Sequence, residues 1–351
     1  MLKNQYFCIQ FLCFLRLYST ISERAAVPLA QHLTMQNIIP SIGHRPFALL
    51  LLALLGAGAS AQDYSGYGYL NLPISARALA LGGTLVSDVE PELPLAEQNP
   101  SLLCPQMAGQ VALCYSRYLG DIHMGYVGYA SRFLSEGAWS VGMRYVDYGQ
   151  FSGYDEQGIA TGSFGVKDLS FQLALGYPIN DRWRVGAQTK FLYSSYESYN
   201  AFALGVDVGL NYYNEATGNS MSLTAVNMGG QFRALYEGRS ESMPTQVHAG
   251  WSRELQHLPF CITVTACNLL DWDYPALEHF IFGLEWAASD YFWLGASYNY
   301  HHQRQFSGQG GFLRGVALGA GVSYKQLSVQ VAYASAHAGN GTLTLQLGYA
   351  F

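Results

Sequence analysis

The residues of this chain able to do chemistry are few and scattered. His301-His302 is the only adjacent pair of histidines. In an extended strand, neighbours point to opposite faces, so this pair is a poor start for a metal site. Cys261 and Cys267 stand six apart in one strand-like stretch, about 20 Å along it, too far to bridge. That leaves a Cys104–Cys114 disulfide open in an oxidising compartment. There is no CxxC or Cys/His spacing for zinc, no HExxH and no phosphate-cradling GxxxxGK[ST]. GxSxG, SxxK and KTG are also missing, so serine-hydrolase and penicillin-binding chemistry lack their nucleophiles. What remains is isolated charge: Arg144 and Glu285, expected to face a lumen and find a partner or water there, and Arg184 and Asp207. The expectation is a protein that is no enzyme, with no cofactor and no metal.

The elements that carry these charges explain their scarcity. Of 351 residues half are hydrophobic, yet only 12% are Asp, Glu, Lys or Arg. An ordinary soluble domain carries about 25%, so this chain cannot dress a water-facing surface. Glycine (38) and tyrosine (26) are abundant, which suits close-packed strands and aromatic interfacial belts. The net charge of −6, with no clustered basic face, argues against nucleic acid as a partner.

From Gly109 onward the chain divides into fourteen alternating segments, at 109–118, 121–134, 137–148, 168–178, 182–194, 199–213 and 218–228, then 243–255, 259–268, 278–288, 290–302, 312–325, 327–335 and 341–351. In 199–213, Phe202, Leu204, Val206, Val208, Leu210 and Tyr212 share one face, opposite Ala203, Gly205, Asp207, Gly209 and Asn211. A soluble sandwich would need a charged outer face. Here the non-apolar face is mostly Gly, Ala, Ser and Thr. Large apolar residues therefore face lipid, and the strands must close to satisfy their backbone groups. The predicted fold is all-β, a 14-stranded antiparallel transmembrane barrel of the outer membrane. A pairing sum of 391 between 182–194 and 199–213 sets Arg184 opposite Asp207 as a lumenal ion pair. The chain ends GTLTLQLGYAF, and its terminal Tyr349 and Phe351 look like the signal read by the bacterial barrel-assembly machinery. The polar stretch Gly149 to Lys167 is expected to be a long outer loop and a docking candidate. Asp271-Trp272-Asp273-Tyr274-Pro275 is expected to be a loop at the membrane edge.

Upstream, Arg45-Pro46, the apolar run Phe47 to Leu55 and the small residues to Ala61 make a secretory signal cleaved after Ala61. A signal normally begins the chain, so residues 35–61 are the expected signal, starting at Met35. Residues 1–34 are expected to be an upstream extension outside the true reading frame start. Residues 62–108 become a plug-like N-terminal segment before the barrel at 109–351.

That segment carries the stretch YLNLPISARALALGGTLVSD, followed by LAEQNPSLL. These resemble the N-terminal region of the PorV/PorQ family, within the wider FadL-like barrels. YVDYGQFSGYDEQGIATGSF, KFLYSSYESYNAFALGVDVG and NMGGQFRALYEG are similar to its PorQ branch, from the type IX secretion system. The resemblance runs from about Tyr69 to Phe351, on structural rather than catalytic motifs: Asn71, Pro73, Ala76, Arg77, Gly82, Gly83, Asn99 and Pro100. It implies a Bacteroidota-like outer membrane, whose lipid bilayer surrounds the barrel. It also implies a role in exporting and attaching cargo at the cell surface, with partners of the PorZ, PorU and PorV kind. A FadL-like channel for hydrophobic molecules, with a lumenal lipid or detergent-like ligand, is the alternative. An outer-membrane hydrolase is a distant third.

Overall fold

The structure is a computed structural model that describes residues 66–351, apart from short stretches at 119, 121, 155–156, 158, 198, 235–239, 273–274, 290, 306–311 and 338–339. The expected signal and the chain before it lie outside the described residues. Fourteen strands follow one another around a closed barrel. They are β1 (Gln110–Arg117), β2 (His123–Phe133), β3 (Gly137–Tyr154), β4 (Ala160–Pro178), β5 (Trp183–Tyr196), β6 (Tyr199–Asn214) and β7 (Asn219–Arg233). β8 (Gln246–Glu254), β9 (Phe260–Ala266), β10 (Phe280–Ser289), β11 (Phe292–Asn299), β12 (Val316–Tyr324), β13 (Leu327–His337) and β14 (Asn340–Ala350) complete it. Each strand pairs antiparallel with its sequence neighbour, and β1 closes on β14 from Gln110↔Ala350 to Arg117↔Leu343.

The molecule is inside out, as the alternation requires. Leu113, Phe171, Leu173, Phe191, Leu284, Leu345 and Leu347 stand exposed on the outer wall, while Ser170, Gln172, Gln188, Lys190, Asp207, Thr344 and Gln346 are buried inside. Apolar side chains outward and polar ones inward cost free energy in water and gain it in a bilayer. Tyr349 lies on the outer wall and meets Phe351 edge-on, ring centroids 4.9 Å apart.

Gln110 and Ala350 lie at the end closed by tight turns, such as 215–218 and 325–326, whereas the opposite end carries 234–245, 267–279 and 300–315. In barrels of this class the short turns face the periplasm and the long loops the outside. We call these the inner and outer ends.

Three expectations need correction. The stretch Gly149 to Lys167 is mostly strand: beyond Asp147↔His123, β3 leaves β2 and continues with β4 alone, as far as Tyr154↔Ala160. A two-stranded ribbon results, with Phe151 stacked on Phe164 at 5.9 Å. His301-His302 sits on a short helix, α2 (Tyr300–Gln305), not on a strand. The β5–β6 register sets Arg184 opposite Asn211 and Asp207 opposite Gln188. The faces fall as expected, but the Arg184–Asp207 pair does not form, because small lumenal side chains tolerate a slip by an even number of residues.

Candidate functional site: a plug clasped inside the lumen

Residues 66–108 form the plug. It is built from four short 3₁₀ turns and one helical turn, α1 (Ala76–Ala80), and most of its residues are fully buried. Ser75 caps α1, its hydroxyl accepting from Ala78 N at 3.2 Å. Gly82 and Gly83 follow with φ of 105° and 100°, a region that only glycine enters without strain. Gly83 N then donates to Ala78 O at 2.8 Å and ends the helix. In the second motif Asn99 caps the turn Pro100–Leu102: its Oδ1 accepts from Ser101 N at 3.0 Å, and its Nδ2 donates to Val86 O at 2.6 Å. Pro100 fits as the first residue, where no N–H is needed.

The wall makes room for this motif. A Cβ at lumenal Gly186 would collide with the Pro100 carbonyl, and one at Gly209 with Asn99 Oδ1. Plug and wall therefore approach backbone to backbone at Gly186 and backbone to side chain at Gly209, with nothing between.

Three clasps join plug and wall, two through ion pairs and the third through an amide hydrogen bond backed by an ion pair within the wall. In the first, plug Arg77 donates from Nε to Glu92 at 2.9 Å and from Nη1 to Glu285 on β10 at 2.6 Å, with Asp88 at 3.9 Å. Its guanidinium lies 4.5 Å from the Trp293 ring. Burial would pull the Arg77 pKa down, but Glu92, Glu285 and Asp88 outweigh it and raise it further. Burial pushes the Asp88 carboxyl up, more strongly than Arg77 draws it down. Glu92 also accepts from Gln330 and Gln346 of β13 and β14, at 2.8 and 3.2 Å.

In the second clasp the polarity is reversed. Arg144, on β3, ion-pairs with plug Glu97 and donates to the Tyr69 and Leu72 carbonyls at 2.7 and 3.3 Å. Gln172 donates to the same Glu97 oxygen at 2.7 Å. The third clasp holds the charge expected to meet Arg184. Asp207 pairs with Lys190 at 2.7 Å, and both bond Asn227, which reaches plug Asn71 at 2.9 Å. Asn227 adopts φ of 56° at a bulge where β6 and β7 shift register. Arg184 instead lies 6.0 Å from the Tyr213 ring.

A cavity of about 30 Å³, lined by residues including Glu97, Arg144, Lys190 and His248, separates the last two clasps. Glu97 Oε2 and Arg144 Nε have no protein partner, and a space of this size holds about two water molecules to serve them. Toward the outer end Tyr67, Tyr69, Leu70, Met124, Val146, Leu192 and Met243 pack together, beside the buried carboxylate of Asp168, which accepts from Tyr148 at 2.7 Å.

The motif residues Asn71, Pro73, Ala76, Arg77, Gly82, Gly83, Asn99 and Pro100 all lie in the plug. Ala76 N donates to Gln346 at 3.0 Å, and Asn299 donates to Gly82 O at 3.1 Å. Arg144 and Glu285 were expected to find a lumenal partner or water, and both find partners. Glu92, Glu97 and Asn227 were missed, because nothing in their spacing announces a partner tens to hundreds of residues away. Cys104 and Cys114 are separate, buried free thiols.

No family model and no curated protein matches the chain. Solved structures do. The Ralstonia pickettii toluene transporter TbuX is 11% identical, with a TM-score of 0.51, covering 80% of this chain and 99% of its own. A TodX monoaromatic hydrocarbon channel (deltaS2 mutant) is 12% identical, with a TM-score of 0.50, covering 79% of this chain and 97% of its own. The fold is that of an outer-membrane barrel. At such identity the likeness is one of architecture.

Proposed function

We propose that the protein is a non-enzymatic, plugged outer-membrane barrel of the PorV/PorQ family, which anchors partners of the type IX secretion system at the cell surface. The observation that supports this reading is the plugged lumen: residues 66–108 are mostly buried inside the barrel, and the Arg77–Glu285 and Glu97–Arg144 ion pairs hold them to its wall. The plug motifs that carry the family resemblance are the ones seated in that lumen. The β3–β4 ribbon, which rises beyond its neighbouring strands, offers partners an outer surface.

The test is affinity capture of the tagged mature barrel in mild detergent, beside a clean deletion strain. A large surface protein of the PorZ kind, with PorU-like and PorV-like partners, is expected to co-purify, and the deletion is expected to leave cargo unattached. Normal cargo attachment in the deletion strain would overturn the reading.

The second reading is a FadL-like channel for small hydrophobic molecules. The comparisons favour it, since the neighbours named above are a toluene transporter and a monoaromatic hydrocarbon channel. The apolar cluster around Leu70, Met124 and Met243 inside the barrel also favours it. Uptake of labelled toluene by cells with and without the gene separates the two: a transport defect with intact cargo attachment supports the channel.

A further inference from the structure

Arg314 occupies a short 3₁₀ turn, Phe312–Gly315, just before β12 on the outer loop 300–315. It is 4% exposed, yet neither Nη1 nor Nη2 has a hydrogen-bond partner, and among the described residues no carboxylate lies in ion-pair range of it. A buried acid can escape such isolation by taking up a proton. Arginine cannot, because its guanidinium stays protonated in proteins. An uncompensated buried cation is strongly unfavourable, so a group with acceptor oxygens belongs beside it.

The residue's own loop does not supply that group. The loop reads YHHQRQFSGQGGFLRG and contains no acid, and from Tyr291 to Phe351 there is neither Asp nor Glu. The acidic residues of the chain all lie upstream, so its last sixty or so residues are basic in a protein of net charge −6. The neighbouring loop carries Asp271, Asp273 and Glu278; of these, Glu278 is engaged with His301 at 3.4 Å, and neither it nor Asp271 ion-pairs with Arg314. His302 brings no charge: burial, then the neighbouring His301, lowers its pKa to about 4. A planar fork of N–H donors in such surroundings suits the two oxygens of a phosphate or carboxylate.

We propose that Arg314 is the core of an oxyanion-binding site on the outer loop between β11 and β12, taking a phosphate group. The source is either a phosphate-bearing lipid headgroup of the outer leaflet or free phosphate. The site is independent of both readings of function above.

The test uses the mature barrel, purified in phosphate-free detergent, and follows thermal unfolding. Inorganic phosphate is titrated against chloride at matched ionic strength, for wild type, Arg314→Met and Arg314→Lys. Wild type is expected to gain saturable protection from phosphate. Arg314→Met is expected to lose it, with binding at least tenfold weaker, and Arg314→Lys to keep a weaker effect, having charge without the fork. Without phosphate, Arg314→Met should be at least as stable as wild type, which also shows that it folds. A second arm places the barrel in nanodiscs of phosphatidylcholine alone or with phosphatidic acid. Protection by phosphatidic acid that depends on Arg314 assigns the site to a lipid headgroup, and protection by inorganic phosphate alone assigns it to the free anion. Equal protection of wild type and Arg314→Met, or none in either arm, overturns the proposal.

Discussion

The first two clasps invert one another. Arg77 is a plug residue that grips the wall, and Arg144 is a wall residue that grips the plug. Arg77 is outnumbered, with Glu92, Glu285 and Asp88 around one guanidinium. Arg144 is matched one to one with Glu97 and spends its other bonds on backbone carbonyls. The difference sets what each clasp does when disturbed. Around Arg77, surplus carboxylates can take up protons and relieve themselves. Beside Arg144, loss of either partner strands a buried charge without its counter-ion.

The largest effect therefore belongs to the matched clasp. Arg144→Met leaves Glu97 buried and unpaired, at a cost of about 3–5 kcal/mol. The double variant Arg144→Met, Glu97→Leu should recover much of that, because it buries no lone charge. Denaturant unfolding in detergent measures both. A double variant no more stable than the single one would show that the carbonyl bonds to Tyr69 and Leu72, rather than the ion pair, make the clasp.

Packing ranks next. Gly186→Val and Gly209→Val push side chains into the Pro100 carbonyl and Asn99, and overpacking of this kind costs about 1–3 kcal/mol. Both should loosen the plug without opening the wall, since each retains the backbone of its strand. Faster proteolysis between residues 66 and 108, with the barrel still resistant to unfolding, is the expected result.

The outnumbered clasp adds a pH dependence of predictable sign. The folded-state pKa of Asp88 is raised, by burial above all. The native state therefore holds a proton that the unfolded chain has released, and stability falls as pH rises above the ordinary aspartate value of about 4. Asp88→Asn should remove that decline: close to neutral near pH 4, and stabilising at pH 7 and above. A pH series of melting temperatures for wild type and Asp88→Asn checks it, and parallel curves would refute it.

The two clasps also mark where sequence reasoning stops. Fourteen strands and their faces were legible, because lipid contact imposes a two-residue period that Leu343, Leu345 and Leu347 display without help. Arg144 and Glu285 were legible as lumenal for the same reason. Their partners were not: Glu97 lies 47 residues from Arg144, and Glu285 lies 208 from Arg77. The β3–β4 ribbon was hidden because its alternation is made of Gly, Ser, Tyr and Gln, which spell a loop equally well. Tyr300-His301-His302 continues the pattern of β11 but folds as a helical turn, where backbone pairing ends.

The smallest effect comes from the ion pair that the register denies. Arg184 faces Asn211 and lies near the Tyr213 ring, while Asp207 is held by Lys190. Arg184→Ala should then change stability by no more than about 0.5 kcal/mol. Lys190→Met strands Asp207 as a buried anion and releases Asn227 from one of its bonds, so its cost should approach that of Arg144→Met. The contrast reads the register directly. Were Arg184→Ala costly and Lys190→Met harmless, β5 and β6 would be paired four residues away from the arrangement described, and Asn71 would lose its hold on the wall.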